Sequence, residues 1–83
     1  MNISKTERRA LEMLSFGGCI TVEKDGKQVV DVYFITREGW FLDGYGLREF
    51  DRLRQKKMIA SQAGGPYRIT KSGVAALSQA RKS

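Results

Sequence analysis

Eighty-three residues, 41% of them hydrophobic, make one small domain (1–83) with no room for a second core. One cysteine and no histidine exclude an internal disulfide, a cysteine–histidine pair, a histidine general base and a zinc site built on imidazole. The net charge of +6 is uneven: residues 47–83 set nine Lys and Arg against Glu49 and Asp51, a balance of +7, while residues 16–46 come to −2 and residues 1–15 to +1. A segment so basic points to a polyanion or an acidic protein surface as partner.

Ser4 is a good N-cap for the first helix, and Glu7 three positions on completes a capping box. Ala10, Leu11 and Leu14 recur at helical spacing to about Ser15, and Gly17-Gly18 stops the helix. The stretch from Cys19 to Lys24 is rich in β-branched residues, Asp25-Gly26 is a tight-turn dipeptide, and Val29 to Thr36 resumes as a strand. Alternation sets Val30, Val32 and Phe34 on one face of that strand and Val29, Asp31, Tyr33 and Ile35 on the other. Trp40-Phe41-Leu42 is a candidate third strand. A basic helix follows over about Leu47 to Lys57, with Leu47, Phe50 and Leu53 as its buried face. Met58-Ile59-Ala60 and Tyr67-Arg68-Ile69 flank a Gly64-Gly65-Pro66 turn, and Thr70 caps a last helix in which Val74 and Leu77 face inward. The order predicts an α+β fold, a winged helix-turn-helix-like domain with a β-hairpin inserted after the first helix. The insertion stands where the second helix of a helix-turn-helix usually lies.

No apolar run is long enough to span a membrane, and Met1 to Glu7 lacks an apolar signal region, so the expected location is the cytoplasm. A core this small is marginal, which makes association with a partner or a second copy of some use; a monomer or weak homodimer is expected.

The candidate macromolecule-binding residues are Arg48, Arg52, Gln55, Lys56, Lys57, Arg68 and Lys71. Arg48, Arg52 and Gln55 recur at i, i+4 and i+7, with Lys56 at the border of their face. Laid in a major groove, arginine pairs with guanine and glutamine with adenine. The alternative is the solvated face of an amphipathic helix, which Glu49 and Asp51 favour because acids near phosphates repel. Arg68 and Lys71 flank the wing, where a cation sets position on a phosphate backbone, though the wing tip Ala63-Gly64-Gly65 carries no charge.

Trp40, Phe41 and Tyr45 have two readings, core packing or stacking on bases; an exposed one becomes a protein-binding hot-spot candidate. Glu23, Asp25 and Asp31 suit edge-strand protection better than acid–base or metal chemistry. Cys19 reads as a small buried apolar residue. Gly64-Gly65-Pro66 lacks the Gly-Lys-Ser/Thr that a phosphate loop requires.

The opening Met1 to Ser4, the turn Arg37-Glu38-Gly39, the segment Leu53 to Ile59 with its basic pair Lys56-Lys57, the run Gly65 to Ile69, and Gly73 together resemble the YjhX-type toxin family of small bacterial proteins. The resemblance runs nearly end to end, through the order and spacing of motifs that are individually common. It implies a toxin that binds and inhibits DNA topoisomerase I, paired in some bacteria with an acetyltransferase-like antitoxin. It carries no catalytic residue and no cofactor. The segment Thr21 to Phe34 looks less family-like than the C-terminal half. Two functions stand: an inhibitory toxin-like binding protein, not an enzyme, acting on topoisomerase I; and a winged-helix regulator that binds duplex DNA.

Overall fold

A computed structural model describes residues 3–82. Met1 and Asn2 of the family-like opening lie outside the described residues. Helix α1 spans Lys5–Ser15. Its capping box forms as expected: the Glu7 N–H donates to Ser4 Oγ at 3.1 Å and the Ser4 N–H to Glu7 Oε1 at 2.9 Å. At the other end Gly17, at φ +105°, lets its own N–H reach the Leu14 carbonyl and the Gly18 N–H reach Met13, which satisfies the last carbonyls of the helix.

Strands β1 (Cys19–Asp25) and β2 (Gln28–Ile35) form the expected hairpin around Gly26. The register slips between Glu23, opposite Asp31, and Lys24, opposite Val29, so Val30 has no partner. That bulge reverses the alternation beyond it. Val32 and Phe34 share the buried face, as the alternation groups them, but Val30 is 46% exposed and Val29 packs against the core instead. Trp40-Phe41-Leu42 does not extend into a strand; Phe41 makes a single bridge to Ile35, and the Leu42 N–H donates to the Phe34 carbonyl at 2.8 Å.

Helix α2 (Leu47–Gln55) ends earlier than its sequence suggests. Lys57 takes a positive φ of 60°, its N–H bonding to the Arg54 carbonyl and that of Met58 to Leu53, the same closure that ends α1. Strands β3 (Ile59–Ser61) and β4 (Tyr67–Ile69) make the second hairpin, and α3 (Lys71–Lys82) closes the domain. Thr70 Oγ1 accepts the Gly73 N–H at 3.1 Å, as its N-cap role requires. On the helices two expected inward residues are exposed, Leu47 at 38% and Val74 at 49%, while Gly73, Ala76 and Leu77 face the core.

The first hairpin follows α1 as expected and is joined to the second. Ile20 pairs with Tyr67, which joins both hairpins into one antiparallel sheet of order β2-β1-β4-β3. The pairing puts Ile20, Val32, Phe34, Tyr67, Ile69 and Ile59 on one side, where they pack with Leu11, Leu14, Phe50, Leu53 and Leu77 from the three helices. The domain is therefore α+β in two layers, with the helices on one sheet face. No helix of the described residues is long and apolar enough to cross a membrane.

Candidate macromolecule-binding surface

Helix α2 is held by Phe50 and Leu53, both buried, with the Phe50 ring edge-on to Tyr67 at 4.9 Å. Its two acids have structural partners. Glu49 Oε1 accepts the Gly46 N–H at 2.8 Å, and Asp51 lies 3.7 Å from the Arg54 guanidinium, which also sits over the Phe50 ring. Arg48, Arg52 and Gln55 are exposed and make no ion pair or side-chain hydrogen bond with other described residues. They form an open cationic row. Arg54, which the sequence pattern did not single out, is tied down by residues three and four positions before it, a spacing visible in the sequence.

Lys56 has a structural role. Its ammonium donates to both Glu7 oxygens, at 2.9 and 2.8 Å, and so fastens the end of α2 to the start of α1. Glu7 is 4% exposed. Burial alone raises its pKa, but hydrogen bonds from Lys56 and Ser4 and the Lys56 charge outweigh that and hold the carboxyl below the ordinary glutamate value.

Lys57 has the opposite character. It is exposed, and it occupies a left-handed backbone position that glycine fills at least cost. Lys57→Gly is expected to raise stability by about 0.5–1 kcal/mol in urea unfolding while removing a cation beside the Arg52–Gln55 row.

Arg68 and Lys71 stand apart from α2. Tyr67 and Ile69 turn inward, so Arg68 points to the opposite side of the sheet. There Arg68 and Lys71 line a cleft of about 530 Å³ with Gln62, Pro66 and Thr70. The seven candidate residues thus divide into an α2 row (Arg48, Arg52, Gln55, then Lys57), a structural Lys56, and a separate Arg68–Lys71 pair.

The aromatics divide too. Tyr45 packs at 5.2 Å from Phe34, and its hydroxyl donates to the Thr6 carbonyl at 2.9 Å. Burial is the main reason its pKa is raised. Trp40 and Phe41, for which core packing is the simpler expectation, are 73% and 66% exposed, in a loop tied to the outer edge of β2. Glu23 and Asp31 both accept from the Tyr33 hydroxyl, at 3.0 and 3.3 Å. Cys19 is half-buried, on the sheet face away from the helices. Among the described residues no three His, Cys, Asp or Glu gather as a metal site.

Comparison with known proteins agrees with the resemblance in the motifs. Residues 1–82 match a family described as "putative toxin of bacterial toxin-antitoxin pair". A UPF0386 protein of Rhodospirillum centenum is 51% identical over 78 residues, 93% of this chain and 91% of that protein. UPF0386 proteins of Parvibaculum lavamentivorans and of a Chelativorans species are 49% identical over 78 residues (93% and 92% of the two chains) and 47% over 75 (89% and 88%). No solved structure matches the chain. Matched along almost its whole length, this chain belongs to the YjhX-type toxin family.

Proposed function

We propose that this chain is the toxin of a toxin–antitoxin pair and acts in the cytoplasm by binding DNA topoisomerase I through α2, performing no chemistry of its own. The observation that carries the reading is the exposed row Arg48, Arg52 and Gln55, on a helix whose acids are engaged elsewhere. A nucleic-acid enzyme offers such a row two complements, acidic side chains and the phosphates of its bound DNA. The antitoxin that family membership implies, of acetyltransferase type on the resemblance, opposes it.

Calorimetric titration of topoisomerase I with Arg48→Ala/Arg52→Ala is expected to give at least a tenfold weaker complex than the unaltered chain. Unchanged affinity sinks the choice of α2.

One arrangement favours a second reading, a winged-helix regulator of duplex DNA. The order of α2, the β3–β4 hairpin and α3 is that of a recognition helix followed by a wing. In that case each arginine-to-alanine change costs about 1–3 kcal/mol at a base-reading position. Affinity then falls steeply with salt.

A further inference from the structure

We infer that the sheet face away from the helices docks a second copy of this chain, giving a two-fold dimer by sheet-on-sheet packing. A solvent-facing antiparallel sheet normally alternates to polar residues. This one presents Tyr33 and Phe41, 38% and 66% exposed with rings 6.0 Å apart, beside half-buried Cys19, Thr21 and Ile35. No helix of the described chain covers them.

Charge on the face fits it to itself. Glu23 and Asp31 are paired neighbours at the hairpin end of β1 and β2. Arg68 is level with Cys19, because Ile20 pairs with Tyr67 in an antiparallel ladder. Four residues of strand separate Cys19 from Glu23, about 13 Å. A two-fold axis running across the strands reverses the face end for end. It brings Glu23 of one copy level with Arg68 of the other and one strand, about 5 Å, to the side, a span the two long side chains can cross, twice by symmetry.

Strand addition along β2, the edge nearest this patch, is hindered. The Val32 N–H donates to the Asp31 side chain at 2.9 Å, and the Phe34 carbonyl is taken by Leu42, so the β2 edge is already capped over this stretch. The face measures about 20 by 15 Å. That is small beside the roughly 800 Å² per partner of a standard interface, so the expected dimer is weak and forms only at high concentration. This dimer leaves the α2 row exposed on both copies and does not depend on what α2 binds.

Sedimentation velocity of the full chain, from micromolar to millimolar concentration, tests it. A monomer–dimer equilibrium that weakens with salt is expected. Phe41→Lys, at an exposed position, should leave a monomer with an unchanged circular dichroism spectrum. Glu23→Arg and Arg68→Glu should each weaken the dimer by about tenfold, since each removes two symmetry-related pairs, and the two together should restore it. A single monomeric species at every concentration overturns the proposal and leaves the face to another partner, the antitoxin included. A dimer indifferent to Phe41→Lys, or a double swap that restores nothing, overturns it equally.

Discussion

Lys56→Ala is expected to cost about 2–3 kcal/mol, or roughly 10–20 °C of melting temperature in a domain this size. The reason is what it leaves behind. Glu7 has a side chain 5% accessible, and without the ammonium its carboxylate stays buried with the Ser4 N–H as its remaining close donor. Removing one partner of a fully buried pair costs about 3–5 kcal/mol. Lys56 is 33% accessible, so water already shares its charge and the lower end applies. Glu7→Gln should cost less, about 1–2 kcal/mol, because the amide oxygen can still accept the Ser4 N–H and Lys56 can turn to solvent. Equal losses in the two variants, measured by urea unfolding, contradict this account of the pair.

The same pair fixes a pH dependence. Glu7 has a folded pKa below its unfolded one, so the unfolded chain takes up the proton first on acidification. The contribution of Glu7 is complete above the ordinary value of about 4.3 and is lost as pH falls through the lower folded value. Urea unfolding from neutral to acid pH should show this component in the unaltered chain and lack it in Glu7→Gln.

Gly73→Ala is expected to destabilise by about 2 kcal/mol, although alanine is the better helix former by about 1 kcal/mol. A Cβ on Gly73 meets the Met58 carbonyl oxygen at 2.5 Å and Ile69 Cγ1 at 2.7 Å. The oxygen cannot simply retreat, since it accepts the Thr70 N–H at 2.9 Å. Overpacking of this kind costs about 1–3 kcal/mol, and a backbone obstacle places it at the upper end, which outweighs the propensity gain. A melting temperature at or above that of the unaltered chain contradicts the close approach of α3 to the turn after α2.

These three positions show what was legible in the chain. Ser4 with Glu7, Gly17-Gly18, Asp25-Gly26 and Thr70 each act within a few residues, and each forms the cap or turn its sequence predicts. What the sequence hid is long-range. Lys56 shares the helical pattern of the binding row, and nothing local reveals a partner 49 residues away. The joining of the two hairpins rests on one register pair, Ile20 with Tyr67, which nothing local to either hairpin reveals. Val30 follows perfect alternation, but the bulge depends on how β1 meets β2. Arg68 shows the same limit: it belongs to the basic half by charge, yet pairing turns it away from α2.

Supercoiled-plasmid relaxation decides whether the α2 row binds topoisomerase I. Purified protein is titrated into the reaction with bacterial topoisomerase I, beside a gel shift on the same DNA at matched salt. Inhibition is expected at concentrations that do not shift the plasmid, and is expected to be lost in Arg48→Ala/Arg52→Ala. A shift at the inhibitory concentration, or inhibition that survives the double substitution, contradicts it.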